Sequence, residues 1–365
     1  MPDKEQKQEL LQITNPPHIR SGESVPKIMW AVVAALAPAA AFSLYLYGLN
    51  ALLLIGVGIA AAVAGEAAIQ LFLRRPVAVY DGSAVVTGLL LAMNVPPMAP
   101  WWTVAIGSLF AVIIVKQLFG GLGFNIFNPA LAGRAFLMAS WPIHMTTAWY
   151  RFSGGNVLSP SIRNVGGLPD TLFDTLTGAT PLGLLKEGPR MAVENGIDPA
   201  RVYDMILSPG FLKSLSLGTV GGCIGETSAI FLLAGALFLL ARRIITWHIP
   251  VSYIGTVAVL AAVYYYATGL PTPHLFVLFH LLSGGLILGA FFMATDMVTS
   301  PVSPKGMIIF GAGCGILAFV IRIWGGYPEG VSYSILIMNA LVPLIDRYTR
   351  PAVFGAVKRK GGGAK

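Results

Sequence analysis

The sequence predicts an all-α polytopic membrane protein, and three observations carry that expectation. Charged residues are 11% of the 365-residue chain and hydrophobic ones 55%, against roughly 25% charged in soluble domains. The apolar residues gather into runs of about 20, the length an α-helix needs to cross a bilayer. Lysines and arginines fall at the ends of those runs. The formal charge of +8 therefore gives no ground for nucleic-acid binding, which calls for a basic face with groove-reading or aromatic elements.

Taken in order, residues 1–27 are polar and contain Pro16, Pro17 and Pro26, so a cytoplasmic N-terminal segment without a cleavable signal is expected. Ten candidate spans follow, at 28–48, 51–73, 82–97, 101–119, 125–142, 214–241, 249–268, 274–294, 306–324 and 331–346. The third is short, contains glycine and ends at Pro96-Pro97, so it need not cross fully. Five spans (28–142) precede a long polar loop at 143–213 and five (214–346) follow it, before a basic tail at 347–365. An odd number of crossings in each half places the halves in opposite orientations, as in inverted-repeat membrane folds. Internal similarity is faint, with Ile126-Phe-Asn-Pro-Ala-Leu131 set against Ile337-Met-Asn-Ala-Leu-Val342.

Orientation follows from the cations. Lys4, Lys7, Arg20, Lys27, Arg74, Arg75, Lys116, Arg242, Arg243, Lys305 and the tail from Arg347 to Lys365 fall on one side. The short connections on the other side, at 48–50, 94–100, 268–273 and 325–330, contain no lysine or arginine. Both termini are therefore expected in the cytoplasm and the 143–213 loop outside.

Charged residues inside spans cost roughly 2.5–3.5 kcal/mol each on insertion scales. Glu66, Arg134 and Glu226 are the deepest by position, and either structural ion pairs or functional groups would explain them. Asp81, Asp296 and Asp346 sit at span ends, where solvation or helix capping suffices. Glycine and proline interrupt the spans near polar residues at Gly82-Ser83, Thr87-Gly88, Asn125 to Pro129 and Ser283-Gly284-Gly285. Close helix packing and broken helices that bind a polar ligand are both open readings. Cys223 and Cys314 are isolated in separate apolar segments, and the five histidines show no ligand spacing, so no disulfide framework, metal or haem is expected.

One polar stretch, Asp174-Thr-Leu-Thr-Gly-Ala-Thr-Pro-Leu182, looks chosen for chemistry rather than for lipid. Thr177 and Thr180 offer two hydroxyls separated by Gly178 and Ala179, small enough for a bulky group to approach the backbone. The plain alternative is a threonine turn or a helix cap.

Asp174, two residues, then Thr177-Gly-Ala-Thr180 is similar to the site at which flavin transferase attaches FMN through a phosphoester to the last threonine in ion-pumping redox complexes. Asp81-Gly-Ser-Ala-Val-Val-Thr87, Gly123-Phe-Asn-Ile-Phe-Asn-Pro129, Thr295-Asp-Met-Val-Thr-Ser-Pro301, Arg322-Ile-Trp-Gly-Gly-Tyr-Pro-Glu-Gly330 and Met338-Asn-Ala-Leu-Val-Pro-Leu-Ile-Asp346 strengthen the match. From about Val25 to Asp346 the chain resembles the RnfD family, the D components of Rnf complexes, and more weakly the B component (NqrB) of the sodium-pumping NADH:quinone reductase. The resemblance implies two inverted five-helix repeats of urea-transporter-like fold, and FMN on Thr180 with Asp174, Thr177, Gly178 and Ala179 as its attachment motif. It also implies a second, non-covalent flavin, riboflavin, for which Asn125, Asn128 and Thr87 are the candidate lining. Electrons would pass between reduced ferredoxin and NAD, coupled to Na⁺ or H⁺ translocation across a prokaryotic inner membrane. The partners so implied are the A, B, C, E and G components of the Rnf complex, with flavin transferase for maturation. A urea-transporter-type channel needs no flavin acceptor and is the reading outside the redox class.

Overall fold

The computed structural model describes residues 23–149, 180–196, 198–226, 228–268, 273–327 and 329–350, and these contain helices but no strand. Helices α1 (Val25–Tyr47) and α2 (Leu49–Phe72) form a hairpin whose whole turn is Gly48. Its φ of +64° lies in the left-handed region that glycine enters without a Cβ penalty. A 3₁₀ turn at Val79–Asp81 leads to α3 (Ser83–Met93), where the Asp81 carboxylate accepts from the Ser83 backbone N–H (2.8 Å) and hydroxyl (2.6 Å). That fulfils the capping expectation for Asp81. Eleven residues rise only about 16 Å at 1.5 Å each, half of the roughly 30 Å hydrocarbon core, so the third span is as short as its sequence suggested. It lies backbone to backbone on α2: a Cβ on Gly88 would stand 2.8 Å from the Ile59 Cα.

Helix α4 (Trp101–Leu109) widens into π-helical turns over Phe110–Gln117. Helix α5 (Pro129–Ser140) starts four residues later than the expected span 125–142, because Asn128 caps it and Pro129 occupies its first turn. The short α6 (Pro142–Thr146) follows. The segment predicted as a loop at 143–213 is helical in its described second part, with α7 (Pro181–Glu194), α8 (Pro199–Ile206) and α9 (Pro209–Leu217). Thr180, Asp198 and Ser208 cap these helices, each followed by proline. The boundary drawn at 213 thus falls inside α9.

The expected single span 214–241 is not one helix. It ends at Gly218, passes through an irregular stretch containing Gly221-Gly222 and a 3₁₀ turn at Ile224–Glu226, and restarts as α10 (Ala229–Ala241) under the Ser228 cap. Glu226 therefore sits at a break and not on a helix face. Helix α11 (His248–Thr268) is uninterrupted. The span 274–294 is broken, as its Ser283-Gly284-Gly285 stretch suggested: α12 (Pro273–Leu282) meets α13 (Leu286–Leu288, continued by π-helical turns at Gly289–Met293) with a bend of 64°. Gly284 takes the turn at φ +64°. Helices α14 (Pro304–Trp324) and α15 (Val331–Thr349) complete the described fold.

Among the described residues, α1, α2, α11 and α14 are long and apolar enough to cross a membrane, and the bent α12–α13 pair makes a fifth. The described helices therefore do not reach the ten crossings expected: glycine and proline divide or shorten several apolar runs, and α15, though 19 residues long, ends in the charged Asp346-Arg347. Helix α2 packs on α3 and α4, α11 on α12 and α14, and α14 on α15, while α1 meets α10 and α5 meets α15.

Candidate functional site

At the end of the molecule where α1 and α3 begin and α10 finishes, an open cavity is lined by Ser83, Thr87, Asn125, Asn128, Lys116 and Asp296 among apolar walls such as Leu90 and Phe291. Thr87, Asn125 and Asn128, far apart in sequence, are brought to this one cavity. Their local structure explains how they are held. The Thr87 hydroxyl donates to the Ser83 carbonyl (2.9 Å), and the Asn125 amide to Phe127 (3.1 Å). Asn128 accepts from the Ala130 and Leu131 N–H groups at the head of α5 and donates to the Met293 carbonyl (3.2 Å). Asp296, expected at a wet span end, is only partly exposed. It accepts from the Val298 N–H and the Thr299 hydroxyl, and burial pushes its carboxyl above the ordinary range against those two bonds and Lys116.

Beside the cavity lies a buried ion pair. The Lys116 ammonium donates to both Glu66 oxygens (2.8 and 2.9 Å) and to the Ser83 hydroxyl (2.6 Å). Gln117 and Gln70 donate to the same carboxylate at 2.6 and 3.3 Å. Lys116, counted among the cytoplasmic-side cations, is therefore not an exposed loop charge: it is 1% exposed. Glu66 has in it the counter-ion that a structural ion pair needs.

A second cluster lies at the far end of α3. Arg134, on α5, pairs with Glu329 and donates to Ser332 (2.8 Å), Asn94 (3.2 Å) and Cys223 (3.6 Å). The sulfur of Cys223 and carboxylate oxygens of Glu226 and Glu329 lie within 4.8 Å of one another. The 3₁₀ turn at Ile224–Glu226 is fixed to α3 by the Ile224 N–H, which donates to the Val95 carbonyl (3.1 Å). Glu329 is the functional candidate that sequence reasoning passed over, because it lay in a short connection of the outer face; its place in the Arg322 to Gly330 motif was the available signal. Arg322 donates to the His280 and Ser283 carbonyls (2.6 and 3.0 Å), satisfying the end of α12 at the break.

Thr180 is the N-cap of α7. Its hydroxyl accepts from the Gly183 N–H at 3.2 Å, and the residue is 5% exposed. The first turn of α7 abuts the α12–α13 break: a Cβ on Gly284 would lie 2.8 Å from Leu182, 3.2 Å from the Arg322 guanidinium and 3.9 Å from Glu329. Lys186 donates to the Gly325 carbonyl. The helix that begins at Thr180 is thus docked against the elements bearing Arg322 and Glu329. Asp174, Thr177, Gly178 and Ala179 lie outside the described residues.

Long apolar helices, spans broken at glycines and buried ion pairs define a multi-pass α-helical membrane protein. The chain belongs to the NQR2, RnfD, RnfE family, whose model matches residues 12–355. It is 47% identical over 350 residues to the D component of the Na(+)-translocating ferredoxin:NAD(+) oxidoreductase complex of Acetobacterium woodii, covering 96% of this chain and 97% of that one. The D component of the proton-translocating ferredoxin:NAD(+) oxidoreductase complex of Clostridium ljungdahlii matches at 47% with the same coverage. The D component of the ion-translocating oxidoreductase complex of Stutzerimonas stutzeri is 46% identical, over 91% of this chain and 92% of its own. These relatives bear out the resemblance drawn from the motifs.

Proposed function

We propose that the chain is the membrane-embedded D component of an Rnf-type ferredoxin:NAD⁺ oxidoreductase, carrying electrons in a complex that translocates ions. The observation that carries this is 46–47% identity, across more than nine-tenths of the chain, to relatives so named. The sodium- and proton-translocating relatives are equally similar, so overall likeness leaves both ions in play. The A, B, C, E and G components are the partners of this reading, with flavin transferase for maturation.

FMN attached through a phosphoester to Thr180 is the cofactor this reading requires. Thr180 fits it: the hydroxyl is the N-cap of a 14-residue helix, where N–H groups and the helix dipole favour a phosphate. The Gly183 N–H that now reaches the hydroxyl can serve a phosphate oxygen instead. The isoalloxazine ring supplies one-electron chemistry when bound. The protein's part is to hold the phosphate at the head of α7, whose first turn abuts the α12–α13 break. A second flavin, riboflavin, is assigned to the cavity at Thr87, Asn125 and Asn128, whose apolar walls and few polar groups suit a flat heteroaromatic ring.

Ten crossings in two inverted halves, urea-transporter-like, remain the reading of topology, with both termini cytoplasmic and α7 external in a prokaryotic inner membrane. The meeting of Asn128 with Asn339 supports it. With its amide turned to satisfy both ends, Asn339 accepts from the Asn128 N–H at 3.1 Å. These are the equivalent asparagines of the faint internal repeat.

Peptide mass spectrometry of the Thr180 segment, from protein matured with flavin transferase, tests the core of the proposal. An FMN adduct is expected in the wild type and in Thr177→Val, at lower yield in the latter, and none in Thr180→Val. An unmodified wild-type peptide sinks the covalent flavin.

A further inference from the structure

We propose that Glu226 and Glu329 form a single proton-binding site, filled when the flavin on Thr180 gains an electron and emptied when it passes the electron on. Three features of the far end of α3 point to it. Glu329 is buried and paired with Arg134. Glu226 stands with its oxygens within 4.8 Å of Glu329 and Cys223, is only partly covered, and has one buried oxygen without a hydrogen-bond partner. At the same break the Ser283 hydroxyl and the Arg322 Nε, in side chains more than nine-tenths buried, also lack partners. An unpartnered carboxylate oxygen beside a second carboxylate is a place where one proton can be taken up, because two like charges this close are held ionised only by the arginines that face them.

A metal ion fits less well. Hard cations take six or more oxygens, whereas here a guanidinium touches Glu329 and lies 3.6 Å from the Cys223 sulfur. A proton needs no coordination shell. The charges that face the site are Arg134 from α5, Arg322 from α14, and the two carboxylates, with the Cys223 thiol neutral. With both carboxylates ionised they sum to zero. Leu182 in the first turn of α7, Arg322 and Glu329 all surround the Cβ position of Gly284, so charge placed on a group at Thr180 acts on this cluster through space. When the flavin takes one electron from the preceding carrier of the complex, it adds one negative charge; Glu226 then takes one proton from water and restores neutrality. On reoxidation the electron leaves to the next carrier and the proton returns to water. Glu226 is the less covered of the two carboxylates.

The proposal uses the covalent-flavin reading for its trigger but not for the site. Redox-difference infrared spectroscopy of the purified complex tests it, run with peptide mass spectrometry of Thr180 on the same sample. Reduction should raise a carboxylic-acid carbonyl band that shifts in D₂O, and Glu226→Gln should remove that band. Glu329→Gln, expected to alter it in the same way, serves if the first variant does not assemble. A flavinylated wild-type complex with no deuterium-sensitive carboxyl band on reduction overturns the proton site alone. The band without an FMN adduct keeps the site and sinks the flavin trigger.

Discussion

Lys116 shows what a buried ammonium requires. Its three donors are taken by Glu66 and Ser83, and the carboxylate is bridged further by two glutamines. Lys116→Met should leave the Glu66 carboxylate buried without its counter-ion, at a cost of about 3–5 kcal/mol, read as a lowered unfolding temperature of the protein in detergent. Adding Glu66→Leu should recover most of the loss; an unchanged midpoint in the single variant contradicts the pairing. At the cavity, the pair Thr87→Val and Asn125→Leu should strip non-covalent flavin, measured by fluorescence of the heat-released extract, while leaving the mass of the Thr180 peptide unchanged. Residues of this kind were unevenly legible in the sequence. Glu66, Arg134 and Glu226 stood out because a charge in an apolar run is rare. Their partners Lys116 and Glu329 did not, because at the end of a run a charge reads the same whether water or a counter-ion meets it. Thr180 was legible both as the last threonine of a motif and, through Pro181, as a helix start.

Elements were legible where chemistry marks them. Asn128-Pro129, Thr180-Pro181, Asp198-Pro199, Ser208-Pro209 and Ser303-Pro304 all open helices with the capping side chain bonded to the first turn, as capping residues before proline do. Ser283-Gly284-Gly285 announced its own break. The division of 214–241 was hidden because hydropathy averages over Gly218, which ends α9 in the left-handed region at φ +79°. Gly88 carries the corresponding prediction for packing. Its Cβ space is filled by the α2 backbone at Gly58 and Ile59, so Gly88→Leu must part α2 from α3. The expected loss is about 1–3 kcal/mol or more, seen as a reduced yield of folded protein by size-exclusion chromatography. A wild-type elution profile and melting point would show that the two helices can separate freely.

For the whole molecule the charge bias of the loops makes the orientation testable. A reporter fused after Lys365 should be active only in the cytoplasm, and one inserted at Gly196 only outside. Gly196 suits the insertion because it is an exposed turn at φ +71° with nothing near its Cβ position, whereas Gly188 is buried within α7. Swapped activities would reverse the orientation, and with it the side on which Thr180 lies.

The shortness of α3 bears on voltage. The cavity meets one end of this helix at Ser83 and Thr87, and the carboxylate cluster meets the other beyond Asn94, about 16 Å away along its axis. A membrane potential falls across the insulating layer between water-accessible regions, and where that layer is thinned to about half of the usual 30 Å the local field is about doubled. A charge carried the length of α3 would then cross nearly the whole potential, worth about 2.3 kcal/mol per 100 mV. Were water to reach the polar ground at both of its ends, an eleven-residue helix would be the dielectric of a small capacitor set in the membrane.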